Sequence, residues 1–286
     1  ETKKAGLFGI IGNIFLLIIK GTVGFVFKSQ AMIADAANSA GDIFASLMTF
    51  IGNKIASAPE DSDHNFGHGK AEYLFSMFIA ISMIVIAFKL LYDSVYTLIN
   101  GSNLVFSWLL VTVCLATIIV KLSLYLYTSR LAKKYNNILL EANKKDHFND
   151  CIVTSLTLAS ILFTLINIYW FDSVVGIIIS IWICITGFKI FMESYNILMD
   201  KSIDPKTEEI IIDIAHNYKE IQKLDIYKDG QAIASTPVGY KYIVVLTICV
   251  DGNMSTFDSH KLADRFEKDV NELDDVYKAI VHVNPV

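Results

Sequence analysis

Residues 34–42 read Ala-Asp-Ala-Ala-Asn-Ser-Ala-Gly-Asp, residues 146–150 read Asp-His-Phe-Asn-Asp, and both stretches lie inside long apolar runs. Asn38 and Asp42 are four residues apart, as are Asp146 and Asp150, so each pair falls on one face of its helix. A charge held in hydrocarbon costs at least about 2.5–3.5 kcal/mol, so acids inside a membrane mark functional positions. One such residue would be accounted for by helix capping or interhelical hydrogen bonding. Two spaced pairs on two helices point instead to a site where four oxygen-bearing side chains converge on a hard divalent cation. Asp35 lies three residues before Asn38, shares roughly its face, and is a candidate for an ion or proton path.

The apolar runs around these pairs occupy most of the chain. Of 286 residues 53% are hydrophobic, and the mean hydropathy is +0.48. Ordinary soluble domains reach about 45–50% on a broader set of residues. The runs fill residues 5–199 and the remainder is mixed, the pattern of a polytopic membrane protein with a soluble tail. A span needs about 20 apolar residues. Six segments qualify, at 5–27, 31–56, 71–99, 105–129, 137–166 and 171–199. The second and fifth are the least apolar and carry the Asn/Asp pairs, so their polar stripes should face the interior of the bundle. The first run is long enough to span and no small-residue cleavage site follows it, so a cleavable signal peptide is not expected.

Basic residues predict the orientation. Lys3, Lys4, Lys54, Lys70, Arg130, Lys133, Lys134 and Lys201 would share one side of the membrane, against Lys28 on the other. Both termini are therefore expected in the cytoplasm. The net charge is −5 with no basic block, so nucleic acid is not an expected partner. Cys114, Cys151, Cys184 and Cys249 form no CxxC pair and read as buried thiols.

A transmembrane domain is thus expected over 1–202 and a soluble α+β domain over 203–286. Asp204-Pro205 opens a helix, with proline at the first turn, where its missing N–H does no harm. Strands are expected near 221–228 and 240–250, joined by a connection at 229–239 that holds Asp229-Gly230 and Pro237-Val-Gly239. Ser255 or Thr256 can cap a second helix running to about 273, and 277–283 makes a last strand. A domain of 84 residues is marginal alone, so pairing with a second copy is expected.

The ligand types bear on the metal. Imidazole and thiolate favour zinc and copper, whereas carboxylate, carbonyl and water suit magnesium, calcium and manganese. The two pairs offer oxygen only, and manganese, low in the Irving–Williams order, is reached by leaving nitrogen and sulfur out. Three neighbouring carboxylates repel one another when empty, so protons and metal compete for them, which supplies a basis for metal/proton exchange. Asp61, His64 and His68, in Asp61-Ser-Asp-His-Asn-Phe-Gly-His-Gly-Lys70-Ala-Glu72, could bind a metal or simply cap the third span, with Gly67 and Gly69 permitting the turn. Lys89/Asp93 and Lys189/Glu193 read as neutralised i, i+4 partners, and Lys121 as a snorkelling lysine. His216, His260 and His282 are scattered in the tail.

The stretch 34–42, followed by Phe-Gly-His-Gly-Lys-Ala-Glu at 66–72, closely resembles the cation diffusion facilitator family. The resemblance spans essentially the whole chain. It implies six transmembrane helices and a C-terminal cytoplasmic α+β domain of ferredoxin-like αββαβ order. It implies a homodimer that exports divalent metal from the cytoplasm, usually in exchange for protons, and is not an enzyme. No cofactor is implied beyond the transported ion and the counter-ion H⁺. The family's transport positions match Asn38, Asp42, Asp146 and Asp150. Zinc-moving relatives typically carry a histidine where this chain has Asp146, and the Asn-Asp-Asp-Asp quartet resembles the manganese-exporting bacterial branch of a cell membrane. His147 is adjacent but about 100° round the helix, so it is not expected to substitute. Some zinc relatives use the positions of Asp61, His64 and His68 as a loop site. Their binuclear site in the tail is largely missing here, where Leu224, Leu246 and Asn284 stand and only His260 and His282 are retained. Lys70 and Asp200 match a charge pair that locks the dimer in relatives.

The expected function is therefore Mn²⁺/H⁺ antiport, with broader export of Fe²⁺, Co²⁺, Cd²⁺ or Zn²⁺ as the runner-up. An intramembrane aspartyl protease also sets two aspartates on neighbouring spans, but usually in Gly-x-Gly-Asp, and the chain offers only Ala40-Gly41-Asp42. A metal receptor that does not transport would be separated by net flux.

Overall fold

A computed structural model describes the backbone of residues 2–102, 104–135, 138–226, 232–239 and 241–286. Six long helices are found among the described residues: α1 (Thr2–Phe27), α2 (Gln30–Ala56), α3 (Ala71–Asn100), α4 (Trp108–Tyr135), α5 (Ile138–Phe163) and α6 (Trp170–Leu198). A 3₁₀ turn, Thr164–Ile166, follows α5. Of these helices α3, α4, α5 and α6 contain segments long and apolar enough to cross a membrane. The described side chains of α1 offer a shorter apolar stretch, Asn13–Phe27. The chain divides into two compact units, Glu1–Met48 with Phe78–Phe191, and Thr49–Met77 with Met192–Val286.

In the first unit the helices bury little of their apolar surface, because lipid is their solvent. Phe78, Val85, Phe88 and Tyr92 of α3 and Ile178, Trp182, Ile185 and Phe188 of α6 are all exposed. The interior holds two clusters. Ala31, Ala34, Ile79, Met83, Val153, Val175 and Ile179 join α2, α3, α5 and α6. Val23, Met32, Leu110, Cys114 and Ile161 join α1, α2, α4 and α5. Small residues permit this closeness: a Cβ on Gly187 would stand 3.3 Å from the Ala80 carbonyl oxygen, and one on Gly24 would stand 3.2 Å from the Ile33 nitrogen. Hydroxyls satisfy themselves within their helices, as Thr117, Thr157 and Ser180 do by donating to the carbonyls of Val113, Val153 and Gly176.

Helix α2 begins on a carboxylate borrowed from α6. Asp172, fully buried, accepts from the Gln30 N–H at 2.6 Å and the Ala31 N–H at 3.4 Å, and from the hydroxyls of Ser29 at 2.8 Å and Ser160 at 3.1 Å. Ser29 Oγ in turn accepts from the Met32 N–H. These contacts satisfy N–H groups that a helix leaves open at its start.

In the second unit, α7 (Pro205–His216) is capped by Asp204, which accepts from the Lys206 N–H at 2.9 Å. A sheet follows: β1 (Lys223–Leu224), β2 (Ile233–Val238), β3 (Lys241–Val250) and, after α8 (Thr256–Asn271), β4 (Val276–Pro285). Strand β3 is central. It pairs antiparallel with β1 and β2 and parallel with β4. Because β4 follows β3 over Tyr242–Val250, both β1 and β2 must lie on the opposite edge, as one interrupted strand. The domain is therefore αββαβ with its first strand broken. The faces of α7 and α8 close over the sheet through Ile211, Ala215, Leu262, Phe266 and Val270 against Val244, Leu246 and Ile248.

Two expectations for this domain are corrected. Among the described residues the strand expected at 221–228 is reduced to Lys223–Leu224, and a six-residue strand, Ile233–Val238, lies within the stretch expected to be a connection. Pro237 drew that reading, but β2 is an edge strand, and an edge tolerates a residue that has no N–H to give. The turn Asp229-Gly230 lies outside the described residues.

Candidate metal centres

Helices α2 and α5 bring the predicted transport residues face to face. Asn38 Nδ2 donates to Asp150 Oδ1 at 3.3 Å, and Asp150 is buried. Asp42 lies within electrostatic reach of Asp150 and Asp146. Asp146, one turn before Asp150, is exposed and also in reach of it. Among the described residues these three carboxylates do not form a group whose ligand atoms all lie within 4.8 Å. Asp150 Oδ2 is taken instead by Lys121 of α4, in a close ion pair.

Lys121 corrects the sequence reading. A snorkelling lysine would reach the membrane surface, but this residue is 2% exposed and points inward onto Asp150. A second lysine, Lys20, is also buried inside the bundle. It is 1% exposed, pairs with Asp35 at 2.9 Å, and donates to Thr154 Oγ1 at 3.2 Å. Thr154 closes the triangle by donating to Asp35 Oδ2 at 3.0 Å. The expected ion-path residue Asp35 is thus held in a fully partnered cluster one turn along α5 from Asp150. The signal was available: a lysine well inside an apolar run needs a partner. His147 lies one turn before Asp150, its Nδ1 is buried with no hydrogen-bond partner among the described residues, and it is in electrostatic reach of Asp150 and Lys121.

In the second unit, Asp61, His64 and His68 gather as the loop motif predicts. Asp61 Oδ1 lies 3.1 Å from His64 Nδ1, and Asp61 Oδ2 lies 3.4 Å from His68 Nε2. The two imidazole rings have centroids 4.4 Å apart. One ligand atom from each residue falls within 4.8 Å of the others, the only such group of three among the described residues. The His64 backbone N–H, donating to Asp61 at 2.7 Å, holds its carboxyl below the usual value of 3.8, with a further backbone N–H from Asp63 and the His64 ring assisting. Two imidazoles and a carboxylate are a donor set that transition metals accept.

Lys70, two residues beyond His68, pairs with Asp200 at 2.8 Å, and Thr236 of β2 donates to the same carboxylate at 2.7 Å. The two residues expected to interlock therefore meet within one chain. A Cβ on Gly69 would stand 2.6 Å from the Gly239 Cα. His260 lies on α8, 3.7 Å from Asp264, and His282 pairs in register with Thr247 on the sheet. Neither joins a ligand cluster among the described residues.

Comparison with known proteins decides the family. The profile of the cation efflux transmembrane domain matches residues 7–199, and that of the cation efflux protein cytoplasmic domain matches residues 204–286. The chain belongs to the cation efflux family. It is 30% identical to an uncharacterised transporter of Methanocaldococcus jannaschii, over 100% of this chain and 99% of that protein. It is 28% identical to the manganese efflux system protein MneS of Bacillus subtilis, over 100% of this chain and 97% of that protein. It is 26% identical to the cation-efflux pump FieF of Shewanella oneidensis, over 99% and 94%. This cation efflux protein is a multi-pass membrane transporter of metal cations, in a family that is not a class of enzymes.

Proposed function

We propose that this efflux protein exports Mn²⁺ from the cytoplasm in exchange for protons, through Asn38, Asp42, Asp146 and Asp150. The observation that carries the reading is the contact of Asn38 with Asp150 across α2 and α5, with Asp42 and Asp146 in electrostatic reach. It joins the two spaced pairs into one oxygen-rich region, and oxygen ligands suit Mn²⁺. The likeness to a manganese efflux protein over the full length supports the same cargo. Metal displaces protons from carboxylates, so entry on one side and protonation on the other drive exchange. The working unit is a homodimer with six spans per chain, a membrane domain over 1–202 and both termini in the cytoplasm. Asp61, His64 and His68 form a second, cytoplasmic metal site, and His260 and His282 do not suffice for one.

A broader specificity that includes Zn²⁺ is the second reading. The unpartnered Nδ1 of His147 favours it, because it offers a nitrogen donor beside Asp150. Inside-out vesicles under an imposed proton gradient test both. Mn²⁺ uptake in preference to Zn²⁺, abolished by Asp150→Ala, is the expected result, and Asp146→His should move preference toward Zn²⁺. Normal Mn²⁺ uptake by Asp150→Ala would overturn the site. Equal Zn²⁺ uptake that falls in His147→Ala would establish the second reading.

A further inference from the structure

We infer that Lys121 is a tethered resident cation of the transport site, which holds Asp150 until the metal displaces it and reclaims Asp150 as the metal leaves. The inference rests on the transport reading above.

Three observations carry it. Both carboxylate oxygens of Asp150 are already engaged, Oδ1 by the Asn38 amide and Oδ2 by the Lys121 ammonium. Lys121 is 2% exposed, so its charge has no bulk water to turn to. It also lies in electrostatic reach of Asp42 and Asp146, so its ammonium reaches all three carboxylates of the quartet, whereas Lys20 is among the charges that act on Asp42 but not among those that act on Asp146. A divalent ion arriving at Asp150 meets this positive charge at contact range, where like charges in a site of low dielectric repel more strongly than in water. The ammonium must therefore withdraw from Asp150 as the ion coordinates. Being tethered to α4, it stays nearby and lowers the affinity of the loaded site. A carrier gains from that, since an ion bound too tightly is not released. The lysine also spares the buried carboxylate from standing unpaired when no metal is bound, a strongly destabilising state. Lys20 is not equivalent: it is held by Asp35 and Thr154.

Lys121 acts through Asp150, so it is a positioning residue, and the test must separate this role from a merely structural one. Equilibrium Mn²⁺ binding and vesicle transport are measured on the full-length protein at fixed pH and ionic strength, for wild type, Lys121→Met, Lys121→Arg and Asp150→Asn. The expected result for Lys121→Met is a Kd and KM lower by about tenfold or more, with a kcat reduced by a similar factor. Lys121→Arg, which keeps the charge, should stay within about threefold of wild type in all three. Should Lys121→Met fail to fold, Lys121→Gln takes its place, with the same expectation. A folded Lys121→Met or Lys121→Gln whose Kd is unchanged or raised, while Asp150→Asn abolishes binding, would overturn the role of Lys121 and leave the quartet standing. If Asp150→Asn itself binds Mn²⁺ normally, the quartet is wrong and this inference falls with it.

Discussion

The buried side chains of Lys20, Lys121 and Asp172 help to organise the first unit, and the sequence reading named a partner for none of them. The meeting of Asn38 with Asp150 across α2 and α5 was legible, because spacing sets each Asn/Asp or Asp/Asp pair on one face of its helix. The lysines were not, because a lysine near a helix end and a lysine inside a bundle look alike until the partner's direction is known. On Asp172 four donors converge. Its removal strands the α2 N-terminus and two hydroxyls in a buried setting. Asp172→Ala is expected to destabilise the protein by about 2 kcal/mol, read as a lower unfolding midpoint of the detergent-solubilised protein. Asp172→Asn, keeping one acceptor oxygen, should lose less. At Gly69 the constraint is steric. A methyl group there meets the Gly239 backbone at 2.6 Å, so Gly69→Ala must shift the loop that carries His68. It should weaken metal binding at Asp61–His64–His68 severalfold in an equilibrium titration, while Mn²⁺ transport through the quartet continues.

Among the elements, helices were easier to read than strands. Caps announced α7 and α8 at Asp204 and Ser255, and both side chains accept the expected backbone N–H groups. The first sheet edge was obscured because its break falls between β1 and β2 and because Pro237 normally argues against a strand. Only the pairing of both pieces with β3 shows them to be one edge. At α8 the cap gives a direct prediction: Ser255→Ala should cost about 1 kcal/mol, seen as faster amide exchange in the first turn. The contact between the end of α7 and α8 titrates far from neutrality. Burial, and the bond that Tyr218 donates to Asp269, push the Tyr218 phenol up to about 12 from 10.0. A raised acid of this kind contributes stability that is intact below pH 10.0 and is lost as pH rises through about 12. Tyr218→Phe should therefore match wild type in its pH dependence up to pH 10.0 and show a shallower decline above it, measured by unfolding midpoint.

For the whole molecule, apolar helices 30 and 29 residues long with outward-facing aromatics, α3 and α6, leave membrane insertion in no doubt. The pairing of two chains is the larger prediction. Native mass spectrometry from lipid nanodiscs should give twice the chain mass of 32.0 kDa. The anchor at Lys70, Asp200 and Thr236 has its own pH signature. Lys70 above all, with Thr236, holds the Asp200 carboxyl below its usual 3.8. Its contribution is present above pH 3.8 and disappears as pH falls through the lower folded value. Asp200→Asn should thus unfold earlier than wild type at neutral pH, and the two should converge in strong acid.

The two buried lysine–aspartate pairs also bear on how the chain enters the bilayer. Lys20 and Asp35 belong to the consecutive helices α1 and α2 and are 15 positions apart, and Lys121 and Asp150 belong to the consecutive helices α4 and α5 and are 29 apart. Each lysine leaves the ribosome before its counter-charge, so the earlier helix reaches the translocon carrying an unbalanced cation. Release of α1 or α4 into lipid should then wait for α2 or α5, and the helices should partition as hairpins. Truncated chains ending after α1 or α4 are expected to integrate poorly in a glycosylation-tag assay, whereas chains ending after α2 or α5 integrate. Replacing Lys20 or Lys121 with leucine should let the single helices integrate alone.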